Sequence, residues 1–151
     1  MEYVALDTDV ASKLVKRQLP ARVLAPLAPY APCITFVMLG ELTEWAIARS
    51  WGQRSVAALD GWVATVPVIG YDDDVARVWG RLSASTRRAG RPRPVNDMWN
   101  AACCLVEGLP LATLNVKDYQ DFVDHHGWWC WAQADLSRGA RSAGDRLHED
   151  R

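Results

Sequence analysis

Apolar residues follow two rhythms along the chain. Short continuous runs, Tyr3 to Leu6, Val66 to Ile69 and Leu111 to Leu114, are bounded by acids, Gly or Pro and predict buried strands. Trp128 to Ala132 predicts a fourth. Helical stretches lie between them. Thr8 or Asp9 is expected to cap a helix running through Lys16. Residues 18–33 carry Pro20, Pro26, Pro29 and Pro32, which predicts loop with at most short helical turns. A strong helix is predicted from about Phe36 to Trp51, stopping at Gly52, and another over roughly Arg54 to Ala64. Asp72, Asp73 and Asp74 open a long helix to about Arg88, broken by Gly90-Arg91-Pro92-Arg93-Pro94. Asn96 is expected to cap the next helix, which reaches Glu107 and ends at Gly108. Strands alternating with helices predict an α/β fold on a small, mainly parallel sheet. Apolar content fades from Gln133 onward, so residues 1–132 are expected to form the domain and 133–151 a polar, disordered tail.

Composition narrows this further. At 151 residues the chain is one domain by length, and 50% hydrophobic against 23% charged residues makes it globular rather than disordered. Seventeen basic and 18 acidic residues give a net charge of -1, which excludes a partner found by bulk positive charge but not a local basic stripe. Apolar runs are too short to span a bilayer, and Met1-Glu2-Tyr3-Val4 starts no signal-peptide core. Cys33, Cys103, Cys104 and Cys130 lack disulfide-scaffold spacing, so reduced thiols and a cytoplasmic location are expected.

The chemistry lies in where acids fall. Asp7 follows the first strand, and Asp118 comes just past the Leu111–Leu114 strand. Ligands of parallel α/β sheets bind beyond the carboxyl ends of strands, so these two share one crevice if their strands are neighbours. Asp97 sits in the first turn of its helix, where the dipole favours a carboxylate; plain capping explains it equally well. Glu41 lies on an apolar arc with Val37, Trp45 and Ala48, so it needs either an Arg partner or a metal. Together the four acids would repel one another, and a hard divalent cation removes that penalty. Such an ion suits phosphodiester hydrolysis.

At these residues the chain resembles the PIN-domain ribonucleases, and within them the VapC-type toxins. The resemblance rests on Leu6-Asp7-Thr8-Asp9-Val10-Ala11-Ser12, Gly40-Glu41-Leu42, Asn96-Asp97-Met98-Trp99-Asn100-Ala101-Ala102 and Thr113-Leu114-Asn115-Val116-Lys117-Asp118-Tyr119, in that order over about residues 1–132. It implies a three-layer α/β/α PIN-like fold and an acidic centre of Asp7, Glu41, Asp97 and Asp118 holding Mg²⁺ or Mn²⁺. Thr8, Thr113 and Asn115 would support that centre. Asp9 stands where the family more often has Asn, and either caps the helix or joins the acids from outside. The activity implied is endoribonuclease cleavage of RNA by an ion-activated water, held in check by a small VapB-like antitoxin, in a homodimer. Alternatives within the resemblance are a housekeeping PIN nuclease of RNA processing or decay, and a catalytically inactive RNA- or protein-binding module.

Six arginines, Arg77, Arg81, Arg87, Arg88, Arg91 and Arg93, fall between Val75 and Asn96 with no acid among them. The stripe is either a solvated face or a phosphate track leading RNA toward Asp97. Trp45, Trp62 and Trp79 have core-like spacing, and Trp99 is expected to pack rather than to stack on bases. Cys103 and Cys104 fall mid-helix in an apolar stretch and are expected to be inert. His125, His126 and Cys130 match no common zinc spacing.

Overall fold

The computed structural model describes residues 2–126 and 130–131. Five parallel strands form one sheet in the order β3-β2-β1-β4-β5. β1 (Tyr3–Leu6) leads through α1 (Thr8–Val15) and α2 (Ala21–Leu27) to β2 (Ala31–Thr35). Helices α3 (Phe36–Ala48) and α4 (Gln53–Val63) precede β3 (Val68–Ile69), and α5 (Asp73–Arg88) and α6 (Val95–Glu107) precede β4 (Leu111–Ala112). A 3-10 turn (Val116–Asp118) and α7 (Gln120–His126) lead to β5 (Cys130–Trp131). The strand order runs outward from β1 to β3, then reverses to β4. Right-handed crossovers put helices from before and after such a reversal on opposite faces, which gives the expected three layers. Consistent with this, α1 packs on α3 and α4 while α5 packs on α6. Val4, Ala5, Leu6, Ile34, Leu111 and Ala112 fill the centre of the sheet and are fully buried. Among the described residues, no helix is long and apolar enough to cross a membrane.

Local chemistry corrects several expectations. The cap of α1 is Asp7, not Thr8 or Asp9, because the Asp7 carboxylate accepts the Thr8 N–H. Proline content hid both α2 and β2 in the stretch read as loop. Pro20 precedes the first turn of α2 and Pro26 sits near its end. Pro32 fits a paired strand because of alternation. The Ala31 N–H points to Glu2 O on the β1 side and the Ile34 N–H to Pro67 O on the β3 side, so the Pro32 nitrogen faces a side where β3 has not begun. Helix α3 ends at Ala48 rather than Trp51, because Ser50 adopts φ 48 and the Trp51 N–H turns back to Ala46 O. Pro94, not Asn96, occupies the cap position of α6, without a side-chain cap. β3 and β4 are shorter than predicted. β4 stops at Ala112 since Thr113 turns its hydroxyl to the Asn115 N–H. Helix α7 was not anticipated. The expected tail, 133–151, lies outside the described residues.

Capping by Asp72, which accepts the Val75 N–H at 2.8 Å, starts α5 as expected. Gly108 closes α6 at φ 65, where a Cβ would meet nothing within 4 Å. Gly108→Ala is therefore expected to cost only the left-handed strain, about 1 kcal/mol, lowering the thermal midpoint by roughly 2–4 °C. Thermal unfolding followed by circular dichroism checks this.

Candidate active site

The reversal of strand order falls between β1 and β4, and Asp7 stands on it. Its backbone N–H donates to Ala112 O across the β1–β4 pair at 2.9 Å. Its Oδ1 accepts the Thr8 N–H at 2.9 Å, and its Oδ2 accepts the Thr113 hydroxyl at 2.8 Å. Thr113, the first residue past β4, is fully buried. The Thr8 hydroxyl turns to the other side and donates to Glu41 Oε1 on α3 at 3.3 Å. Asp97, in the first turn of α6, receives the Tyr119 hydroxyl at 3.4 Å, and that hydroxyl lies 3.5 Å from Asp7 Oδ1. Asp118 closes the 3-10 turn, and its Oδ2 accepts from the Asn115 amide.

Electrostatic repulsion ties these groups into one cluster. Burial pushes Asp7 up to about 7, reinforced by the like charges of Asp9 and Glu41. Burial raises Glu41 too, with Asp97 adding repulsion. Asp97 is pushed up to about 6 by burial and then by Asp118. Burial also raises Asp9, against backbone hydrogen bonds from Val10, at 2.7 Å in the first turn of α1, and from Leu114 beyond β4. Asp9 thus holds α1 amides while charging the cluster from outside. The side-chain donors aimed at these acids, Thr8, Asn100, Thr113, Asn115 and Tyr119, are neutral. Among the described residues two cations act on the group: Lys13 lowers Asp9, and Arg93 lies 3.9 Å from Asp118 Oδ1, its guanidinium donating chiefly to the carbonyls of Asp118 at 2.7 Å and Lys117 at 3.2 Å. Among the described residues, no three His, Cys, Asp or Glu side chains converge as a ready-made metal cage. The donor set is an open row of hard oxygens.

No protein-family model matches the chain. Individual proteins do. Ribonuclease VapC5 of Mycobacterium tuberculosis is 31% identical over 110 residues, 73% of this chain and 76% of that protein. The tRNA(fMet)-specific endonuclease VapC of Shigella flexneri is 30% identical over 117 residues, 76% of this chain and 88% of that protein.

The chain belongs to the VapC family.

Solved structures share its fold. VapBC-1 from nontypeable Haemophilus influenzae matches with a TM-score of 0.73 and 24% identity, over 89% of this chain and 99% of that one. VapBC-5 from Mycobacterium tuberculosis matches with a TM-score of 0.67 and 25% identity, over 87% and 98%.

In this VapC-family chain, Asp7, Glu41, Asp97 and Asp118 come together with Thr8, Thr113 and Asn115 at one end of the sheet, and Asp9 stands beside them. The arginines divide. Arg77, Arg81, Arg87 and Arg88 are exposed on α5, and Arg81 and Arg88 flank a shallow groove with Ser85. Arg91 is exposed and pairs with Asp121 at 3.5 Å, while Arg93 is occupied at the 117–118 backbone. Trp99 stacks on Trp79 with ring centres 5.0 Å apart, as packing rather than cleft lining. Cys33 and Cys103 are buried thiols pushed up to about 11 by burial, and Cys104 is buried too. The side chains of His125, His126 and Cys130 lie outside the described residues.

Two polar residues at the centre were not anticipated, Tyr119 and Asn100. Asn100 carried a usable signal, a polar residue three after Asp97 on the buried side of α6. Tyr119 carried none, because an aromatic after Asp118 reads as core.

The proton balance gives a test. Asp7 and Asp97 bind protons more tightly in the folded chain than at the ordinary value of 3.8. Their contribution to stability is therefore full below about pH 4 and is lost as pH rises toward 7. With divalent ions chelated, Asp7→Asn is expected to flatten that decline and raise the thermal midpoint at pH 8 by several degrees. Thermal melts across pH 4–8 check it, and an unaltered slope would contradict the origin given for the shift.

Proposed function

We propose that this VapC-family protein is an endoribonuclease toxin that cuts RNA with Mg²⁺ or Mn²⁺ held by Asp7, Glu41, Asp97 and Asp118, and that a small VapB-like antitoxin keeps it inactive. The observation that carries the reading is a row of mutually repelling carboxylates, buried or half-buried, whose hydrogen-bond donors are neutral. Such a row is costly without a cation and suited to one. Its all-oxygen donors fit Mg²⁺, which is usually held by few carboxylates and keeps several waters, so no closed cage is required. When bound, the ion neutralises charge on the phosphodiester and activates a water for attack.

The chain's own residues do the positioning. Thr113 and the Thr8 N–H fix both oxygens of Asp7, and Thr8 turns Glu41 toward the same space. Asn115 holds Asp118 at the open side of the cluster, where the carboxylate is partly exposed. Arg77, Arg81, Arg87 and Arg88 on α5 supply exposed positive charge for an RNA backbone. Arg91 and Arg93 extend that stripe toward Asp118 but serve their own contacts first.

Support for the activity comes from the two relatives named as ribonuclease and tRNA(fMet)-specific endonuclease. Support for the antitoxin comes from the VapBC-5 structure, a member of the VapBC family of toxin-antitoxin systems. We include a homodimer in the proposal. Helix α3 offers an uncharged stripe, the half-buried Phe36 followed by the exposed Gly40, Thr43 and Ile47 and continued by the exposed Tyr71, that a second copy would cover. Nothing in the fold favours a housekeeping role, and the retained four-acid row argues against an inactive module.

Asp97→Asn is expected to lower RNA cleavage by at least about a hundredfold with the fold intact, and chelation should abolish wild-type cleavage until Mg²⁺ or Mn²⁺ is restored. Full activity in rigorously purified Asp97→Asn protein would reject the assignment. Growth arrest on induction of the wild type, relieved by the mutation or by co-expression of the antitoxin, tests the toxin reading. RNA affinity of the Asp97→Asn protein should fall steeply with salt and weaken several-fold in an additional Arg87→Ala/Arg88→Ala background. A flat salt response, or unchanged affinity, would remove α5 from the RNA path.

A further inference from the structure

Among the described residues Tyr119 is the bulkiest fully buried side chain, yet its polar end lies among the acids. Its ring packs beside Phe122, with centres 6.3 Å apart. Asn100 Nδ2 donates to its hydroxyl at 3.3 Å, and Asn100 Oδ1 accepts the Thr35 hydroxyl at 2.7 Å. Thr35 caps α3, so the amide is oriented by the same residue that starts the helix carrying Glu41.

A hydroxyl has one proton and two lone pairs. Asn100 engages a lone pair, which leaves the proton for the acids. It finds two acceptors at nearly equal range, Asp97 Oδ1 at 3.4 Å and Asp7 Oδ1 at 3.5 Å. Both are long for an O–H···O bond. One proton thus lies within reach of both carboxylates and bridges them with long bonds. A Lys or Arg at this point would fill the cation's place and neutralise both acids. A phenol eases their repulsion and still leaves room for a cation.

We propose that Tyr119, oriented by Asn100, is a positioning residue that sets the separation of Asp7 and Asp97 for a divalent ion they share. The proposal rests on the ion-dependent reading above. Tyr119→Phe removes one oxygen and keeps the buried ring, so it isolates the hydroxyl. The concentration of Mg²⁺ giving half-maximal thermal stabilisation, and its calorimetric equivalent with Mn²⁺, is expected to rise roughly tenfold in Tyr119→Phe. Cleavage should fall at low ion and recover as the ion is raised, whereas damage to the fold alone would not be rescued. Should Tyr119→Phe fail to fold, Asn100→Ala, which keeps the hydroxyl but frees it to turn and also removes a hydrogen bond to Glu41, should shift the midpoint the same way. An unchanged midpoint in a folded variant overturns the role of Tyr119. Absence of any ion-dependent stabilisation in the wild type overturns the ion reading itself, and this inference with it.

Discussion

The molecule is organised around one electrostatic constraint: several carboxylates are held close together, largely out of water, with no dedicated cation among their donors. Coulomb repulsion and lost hydration both act against this arrangement. The chain answers with neutral hydrogen bonds, from Thr8 to Glu41, from Thr113 to Asp7, from Asn115 to Asp118, and from Tyr119 to Asp7 and Asp97. These orient the oxygens without cancelling their charge. The raised proton affinities of Asp7 and Asp97 record what remains unbalanced. Arg93 shows how the balance is kept. Its charge lies within reach of Asp118, but its main hydrogen bonds go to backbone carbonyls, so it ties the 3-10 turn down rather than quenching the acids.

The fold supplies the rigid frame that such repulsion demands. Acids on flexible loops would move apart. Here each is fixed in or at the end of a regular element: Asp7 at the end of β1 and cap of α1, Glu41 inside α3, Asp97 in the first turn of α6, Asp118 in the turn after β4. Topology brings them together because the strand order reverses between β1 and β4, opening a crevice at their carboxyl ends. The buried sheet residues Leu6, Ile34, Leu111 and Ala112 hold the strands in register, so core packing sets where the acids stand.

Particular residues show how far the chain could be read in advance. Asp7, Asp97 and Asp118 were legible because each follows or opens an element whose apolar pattern is strong, and Glu41 because it interrupts the apolar arc of a helix. Thr8, Thr113 and Asn115 were legible through resemblance. The second strand was not, because proline content outweighed a short apolar run, and only the staggered start of β3 shows why Pro32 is tolerated there. The capping groups at Asp7 and Pro94 were displaced by one or two positions, as local propensity leaves helix ends loosely defined.

The amino-acid sequence by itself determined the alternation of strands and helices, the absence of a bulk basic surface, and the set of acids, since these follow from composition and from spacing along one chain. Only the tertiary structure decided that Tyr119, Asn100 and Thr35 join those acids in a single hydrogen-bonded network, and that Arg93 serves the backbone. Contacts between residues 19 to 112 positions apart depend on strand order and register, which the local hydrophobic pattern does not encode.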